Sequence, residues 1–159
     1  MTQVKMGMTN FELISLVKFL RIKDFKGVYC LDQLHGKVGV NECAIVNLDK
    51  STNIGTHWVM FAKRGDYRIY FDSFGCVTPW EVQKYLKTDS EIKNNIHCIQ
   101  RQTEKLQEYG TTICGQMCLF VLKLLNDNPP KTYDEIIKCF KDGSFGGFMS
   151  EISERKGKS

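Results

Sequence analysis

The chain has 159 residues, of which 42% are hydrophobic and 25% charged, a balance typical of one ordinary globular domain. No stretch approaches the roughly 18 consecutive apolar residues of a membrane span, and the N-terminal sequence MTQVKMGMTNF lacks the apolar centre of a signal peptide. The net charge of +4 is too small to indicate a nucleic-acid-binding protein by itself. These features predict a soluble protein that is not secreted.

Composition changes only near the C-terminus, where residues 149–159 are rich in charge and poor in apolar side chains. Such a segment is expected to form a flexible tail. The preceding residues, 1–148, contain no repeat and no low-complexity linker, and we expect them to form a single domain.

Helix and strand signals alternate along this domain, which predicts the α+β class. Asn10 precedes the apolar run FELISLVKFL, and two threonines, Thr78 and Thr132, are each followed by a glutamate three residues later. These are start signals for three helices. Five short runs rich in β-branched and aromatic residues are the predicted strands, at 27–31, 43–48, 57–63, 67–73 and 96–100.

Residues 56–75, THWVMFAKRGDYRIYFDSFG, predict a β-hairpin with a histidine and an aspartate at one end. If Gly65 and Asp66 form the turn, His57 lies diagonally across from Asp72 on the same face. A shift of one residue in the turn would place the two side chains on opposite faces. Taken alone, the hairpin favours a simpler interpretation, a half-buried strand histidine and an aspartate that opens the next turn.

A nearly continuous apolar run, CGQMCLFVLKLL, begins at Cys114 and predicts a helix buried on most of its surface. Thr111 or Thr112 can cap its start, which puts Cys114 in the first turn. Free amide groups and the positive end of the helix dipole stabilise a thiolate there. Gly115 would let a substrate backbone approach closely. A small core residue is the alternative interpretation of Cys114, and the preferred one for the other six cysteines.

A thiol that attacks an amide needs a base, a group that orients the base, and donors for the oxyanion. Cys114 supplies the thiol, His57 the base and Asp72 the group that orients the base. The backbone N–H of Cys114 is one oxyanion donor. A side-chain amide upstream would be the second, and Gln107 is the candidate. Spacing alone does not separate it from three other glutamines: Gln100, Gln102 and Gln116.

The cysteines themselves indicate reduced thiols, because there are seven of them at irregular spacing. A structural zinc site would need clustered ligand pairs, and the chain offers only His97 beside Cys98 and the pair Cys114 and Cys118. We therefore predict no metal site.

Several motifs occur in one order, ECAIVNLDKSTNIGTHWVMFA, then YFDSFG, then a glutamine seven residues before CGQMCLFVL. In the order and spacing of these motifs, the chain resembles the adenovirus maturation protease (adenain) and similar cysteine proteases of virophages and Polinton-type elements. The resemblance extends from about Phe11 to Leu125. The resemblance implies a papain-like α+β fold, in which a central helix bearing the nucleophile packs on a mixed β-sheet with flanking helices.

Position by position, the resemblance implies that His57 is the general base, Asp72 the third triad member, Gln107 the oxyanion donor and Cys114 the nucleophile. The adenovirus enzymes have glutamate in place of Asp72, and both residues accept a hydrogen bond from imidazole. Trp58 is expected to pack over the site, where it would shield the contact between His57 and Asp72 and help to bind substrate.

The predicted function is that of a cysteine endopeptidase that cleaves viral or mobile-element structural precursors, such as capsid or core proteins, during particle maturation. The SUMO- and ubiquitin-like deconjugating proteases share the fold and the order of site residues, and they are the alternative. An inactive relative that acts as a binding module is a third interpretation, although every catalytic residue type is present.

The sequence requires no cofactor. The resemblance implies activation by DNA or by a viral peptide, and the mild positive charge supports at most weak DNA contact. We expect a monomer without membrane contact, in the host cytoplasm or nucleus and in the virion.

Overall fold

A computed structural model gives the structure of residues 7–49, 57–108 and 110–157. In these ranges the elements are α1 (Asn10–Phe19), β1 (Phe25–Cys30), a 3-10 turn (Leu31–Gln33), β2 (Asn41–Asn47), β3 (Trp58–Arg64), β4 (Tyr67–Phe71), α2 (Trp80–Leu86), α3 (Asp89–Lys93), α4 (Cys114–Asn126), α5 (Tyr133–Lys141) and α6 (Ser144–Gly157). The predicted α+β class is confirmed. None of the helices in these ranges combines the length and apolar character needed to cross a bilayer.

The strands form one mixed sheet in the order β1-β2-β3-β4. β1 and β2 are parallel, whereas β3 is antiparallel to both of its neighbours. Arg64 pairs with Tyr67 across Gly65 and Asp66, the turn that the sequence predicts. Because this pairing sets the hairpin register, the residues just before β3 and just after β4 lie at the same end of the sheet.

Apolar side chains cover both faces of the sheet. Met60 and Ala62 of β3 belong to the larger cluster, which includes residues of α1, α4, α5 and α6. Val59 and Phe61 of the same strand belong to a second cluster with α2. Successive side chains of a strand point to opposite faces, so burial of both faces explains the uninterrupted apolar run in β3.

The central helix of the larger cluster is α4, in which ten of thirteen residues are buried, as the apolar sequence predicts. Its N-cap is Ile113, which makes no side-chain capping bond in the described part of the chain. The predicted cap by Thr111 or Thr112 is therefore wrong. The Thr111 hydroxyl donates instead to the carbonyl oxygen of Glu108, at 2.7 Å, and closes the preceding loop.

The other helix signals are confirmed to within two residues. Thr9, one residue before the predicted Asn10, caps α1, and Thr132 caps α5 with the predicted glutamate. After Thr78, α2 begins at Trp80 without a side-chain cap. A further capping box at Thr88 starts the short helix α3, and this signal was missed in the sequence.

The predicted strand at 96–100 is wrong, because this stretch forms only an isolated parallel bridge between Ile69 and Gln100. The first half of the stretch, which includes Ile96, is exposed, and it does not pair with any of the described strands.

The boundary predicted after residue 148 falls within α6, which runs through it. Phe148 and Ile152 are buried in the larger cluster, and Phe145 and Met149 pack against it. These four residues have the i, i+3, i+4, i+7 spacing of one helix face. The abundant charges around them concealed this apolar face in the sequence.

Candidate active site

Three of the predicted site residues meet at one end of the sheet. His57 directly precedes β3, Asp72 directly follows β4, and Cys114 is the first residue of α4. Nε2 of His57 lies 2.7 Å from Oδ1 of Asp72, within hydrogen-bond distance. The hairpin register thus brings the two side chains to the same face, as its turn predicts.

The carboxylate of Asp72 is almost completely buried, with 2% of the residue exposed. Its Oδ1 also accepts a hydrogen bond from the backbone N–H of Phe74, at 2.9 Å. The Phe74 ring packs against the imidazole of His57, with ring centroids 4.9 Å apart. Because the carboxylate is buried and the imidazole is only 16% exposed, their attraction is stronger than it would be at the surface.

Cys114 has the environment of a stabilised thiolate. Burial raises the pKa of its thiol. A hydrogen bond with His57 and backbone N–H donors from Trp58 and Gly115 lower the pKa by more than burial raises it, and the net shift is downward. The Trp58 N–H lies 3.4 Å from Sγ. These donors add to the field of the helix start, which also favours negative charge.

His57 is shifted in the opposite direction. Burial lowers the pKa of the imidazole, but hydrogen bonds with Asp72 and Cys114 and the charges of both raise it, to about 9. Since Nε2 is engaged by Asp72, Nδ1 is the nitrogen left to face the thiol. The two shifts together favour an imidazolium–thiolate ion pair.

The sequence predicts that Trp58 shields the contact between His57 and Asp72; in the structure the ring that packs on the imidazole is that of Phe74, and the indole packs on the larger cluster. The indole Nε1 of Trp58 donates to the carbonyl oxygen of Met8, at 2.9 Å. Neighbouring residues of an extended chain point to opposite faces, which separates the indole from the preceding histidine.

Gly115 is enclosed by the protein. A Cβ atom at this position would lie 3.2 Å from Cδ1 of Trp58, 3.3 Å from Leu13 and 3.4 Å from Met8. The close approach that requires glycine is therefore between α4, α1 and the indole. The side of Gly115 on which a Cβ atom would stand is therefore filled by the protein, and the predicted contact with a substrate backbone does not lie there.

Gln107 lies between the turn after Asp72 and the loop before α4. It is 1% exposed, and its Oε1 accepts a hydrogen bond from the hydroxyl of Ser73. Its Nε2 donates to both the carbonyl oxygen and the hydroxyl of Thr111, each at 2.9 Å. Both amide hydrogens are thus held by Thr111, three residues before the thiol.

The other three glutamines differ in their surroundings. Gln100 has an exposed side chain, and its backbone pairs with β4. Gln102 is buried and donates from Nε2 to the carbonyl oxygen of Asp72. Gln116 lies within α4, and its buried Oε1 has no hydrogen-bond partner among the described residues. Gln107 and Gln102 are therefore the two that contact the turn bearing the carboxylate.

The uncapped start of α4 provides backbone donors next to the thiol. Ile113 makes no side-chain capping bond to the first N–H groups of the helix, and of these the N–H of Gly115 donates to the Cys114 sulfur. No group of three or more histidine, cysteine, aspartate or glutamate side chains in the described ranges is arranged to hold a metal ion.

The fold is similar to that of a viral protease. The crystal structure of the African swine fever virus (ASFV) pS273R protease matches with a TM-score of 0.54 and 19% sequence identity, over 83% of this chain and 61% of that one. A selenomethionine crystal structure of the same protease gives a TM-score of 0.48, with 19% identity over 83% of this chain and 62% of that chain.

The shared property is the fold. The chain spans about 61% of the length of the pS273R protease, and at 19% identity the match identifies the architecture only. It confirms the predicted α+β fold, with a central helix on a mixed sheet, as the fold of a viral protease, and it does not single out the adenovirus enzymes. No protein-family model matches the chain, and no curated protein matches it.

Proposed function

We propose that the protein is a cysteine endopeptidase. The observation that carries this proposal is the hydrogen bond between His57 and Asp72 near Cys114, the first residue of a buried helix, together with the lowering of the Cys114 pKa by His57. A thiolate stabilised by an imidazolium is the usual nucleophile of thiol proteases. The fold shared with a viral protease supports the same reaction class.

In the first half of the reaction, Sγ of Cys114 attacks the carbonyl carbon of the scissile peptide, and the carbonyl electrons move to oxygen. The N–H of Cys114 and the amide of Gln107 stabilise this oxyanion, once Gln107 transfers one hydrogen bond from Thr111 to the substrate. The C–N bond then breaks, and His57 gives its proton to the leaving amine. The acyl group remains as a thioester.

In the second half, His57 takes a proton from water, and the resulting hydroxide adds to the thioester carbon. The second oxyanion collapses and the C–S bond breaks. The carboxylic acid product departs, and the thiolate and imidazolium are regenerated. Asp72 keeps the ring oriented and stabilises its charged form in both halves.

As substrates we propose structural precursor proteins of a virus or mobile element, including capsid or core proteins. The motif order supports this, and so does the viral source of the solved protease with the same fold. Thiol-based hydrolysis itself uses no cofactor. We propose further that DNA or a viral peptide stimulates the enzyme, that it is a monomer, and that it is located in the host cytoplasm or nucleus and in the virion.

A peptide-library cleavage assay tests the proposal, run beside ubiquitin and SUMO fusion proteins as competing substrates. We expect sequence-dependent cleavage of peptides that disappears in Cys114→Ala, with no release from the fusions. Cleavage of the fusions alone would favour the deconjugating alternative. A folded wild-type protein that binds peptides but cuts none, and whose Cys114 reacts like an ordinary thiol, would contradict the proposed activity.

A further inference from the structure

Residues 100–107, called the strap below, run along the turn that carries Asp72. At its start, Gln100 exchanges two backbone hydrogen bonds with β4, each 2.8 Å long. Near its end, the N–H of Leu106 donates to the carbonyl oxygen of Ser73 at 2.7 Å. The strap is thus bonded to the chain on both sides of Asp72.

Between these two anchors, Gln102 contacts Asp72 itself. Nε2 of Gln102 donates to the Asp72 carbonyl oxygen, and Oε1 accepts a hydrogen bond from the hydroxyl of Tyr133 at the start of α5. The carbonyl oxygen can only accept, so the NH₂ group must face it, and this sets the orientation of the amide. Gln102 is 8% exposed and Tyr133 3% exposed, so water does not readily replace either bond.

We propose that Gln102 and Tyr133 are positioning residues for Asp72, which hold the backbone of its turn and thereby keep the carboxylate in contact with His57. This inference rests on the proposed cysteine protease function. It adds a strap and a second helix, α5, to the parts that maintain the ion pair.

The contacts of Asp72 explain how the effect is transmitted. Its carbonyl oxygen accepts from Gln102 and from the N–H of Gly75, at 2.8 Å in the second case, while its Oδ1 accepts from His57 and the N–H of Phe74. Backbone and side chain are therefore bonded within one short turn. A displacement of that turn changes the 2.7 Å contact with the imidazole directly.

The titratable groups around this contact are few. His57 interacts with Asp72 from the end of β4 and with Cys114 from α4. Asp72 in turn influences a set of neighbours from β4, the segment after it, α4 and α5: Tyr70, Cys76, Cys118 and Tyr133. The imidazole of His57 is therefore a direct reporter of how Asp72 is placed.

The test compares Gln102→Met, which keeps side-chain length but removes the donor, with Tyr133→Phe, which removes one hydroxyl. Gln100→Met is the matched control, because it lies on the same strap with an exposed side chain and only backbone hydrogen bonds. The main measurement is an NMR titration of His57 in the full chain, which is practical because the sequence has only three histidines. Peptide cleavage and thermal melting are recorded for the same samples.

We expect the pKa of His57 to fall by about one unit in Gln102→Met and by less in Tyr133→Phe, with no change in Gln100→Met. The value of kcat/KM should fall about tenfold in Gln102→Met, mainly through kcat. In an Asp72→Asn background, Gln102→Met should shift the His57 pKa by no more than about 0.3 units and kcat/KM by no more than about twofold, because the two residues act through one contact.

An unchanged His57 titration in folded Gln102→Met and Tyr133→Phe overturns the inference, as does an equal shift in Gln100→Met. If Gln102→Met fails to fold, Tyr133→Phe decides the question alone. The titration needs no turnover, so the two proposals fail separately: an inactive wild-type protein contradicts the protease function, whereas an active one with unaffected variants contradicts only the positioning role.

Discussion

At the scale of single residues, Cys114 differs from the other cysteines in the direction of its pKa shift. Hydrogen bonds with His57 and backbone amides outweigh burial and lower its thiol pKa. Burial is the largest cause of the opposite shift, a raised pKa, in five others: Cys30, Cys43, Cys76, Cys98 and Cys118. Thiol reactivity should therefore follow the local field and not solvent exposure alone.

The first prediction follows from this difference. A limiting amount of iodoacetamide at neutral pH should alkylate Cys114 before the exposed Cys76, although Cys114 is only 4% exposed. The reason is that the thiolate reacts, and only Cys114 is shifted toward it. Peptide mass spectrometry identifies the modified thiol. Earlier labelling of Cys76 would show that access, not ionisation, controls the chemistry.

The second prediction concerns Asp72→Asn, which keeps the shape of the side chain but removes its charge. Hydrogen bonding to Asp72 is the main effect that raises the His57 pKa to about 9 against the opposing effect of burial. Activity in the wild type should fall above pH 9 or so, where the imidazolium loses the proton needed by the leaving amine. In the variant this alkaline limb should move to lower pH, and turnover should fall by about 10⁴-fold.

The measurement is the pH profile of kcat/KM, with thermal melting as a control. A variant that melts early, but whose folded fraction cleaves at the wild-type rate, would assign Asp72 a structural role only.

The third prediction is that Gln107→Ala lowers kcat by about 100-fold or more with little change in KM, as expected for an oxyanion donor. Gln107 also bonds to Ser73 and Thr111, so the free energy of unfolding should fall by about 1–3 kcal/mol. Gln100→Ala is the control, and it should be silent in both measurements. Gln102, the nearer glutamine, is unsuitable because it is bonded to Asp72.

At the scale of secondary structure, the hairpin was predictable and the strap was not. A two-residue turn and the alternation of side chains determine the register of β3 and β4 locally, so the meeting of His57 and Asp72 follows from sequence spacing. Gln102 contacts Asp72 across 30 positions and Tyr133 across 31. No local pattern encodes such contacts, which is why spacing could not separate the glutamines.

The fourth prediction tests how tightly the strap covers the turn. A Cβ atom on Gly75 would lie 2.6 Å from the carbonyl oxygen of Thr103, whereas one on Gly65 would meet nothing within 4 Å. Both glycines have positive φ, +73° and +59°, so alanine introduces similar backbone strain of about 1–2 kcal/mol at each. Gly75→Ala should therefore destabilise the protein by about 1–3 kcal/mol more than Gly65→Ala.

Urea unfolding of the two variants measures the difference. Equal losses of stability would mean that the strap yields easily and does not constrain the turn.

At the scale of the whole molecule, a group of phenylalanines connects the C-terminal helices to the sheet. Phe71, the last residue of β4, stacks on Phe140 of α5 with centroids 5.5 Å apart and planes 8° apart. Phe120 of α4 contacts Phe140, Phe145 and Phe148, at 5.0, 5.3 and 5.3 Å. The strand that ends beside the site carboxylate is thereby packed against α4, α5 and α6 in one apolar cluster.

The fifth prediction follows from this cluster. Phe148→Ala should lower the free energy of unfolding by about 3 kcal/mol or more, since it removes a buried ring. Phe11→Ala should change it by about 0.5 kcal/mol or less, because Phe11 is 78% exposed. Thermal or urea unfolding checks both values. A small effect at Phe148 would mean that this phenylalanine cluster adds little to the stability of the fold.

The position of α5 and α6 after the thiol in the chain has a consequence for the order of synthesis. A ribosome releases His57, Asp72 and Cys114 before it releases Tyr133, Phe140 and Phe148, which pack behind the site. Because a nascent chain lacks these supports, we expect the nucleophile to stay poorly reactive while translation continues. For the proposed protease, this order of synthesis would limit cleavage of its own unfinished copies and their neighbours without a separate inhibitor.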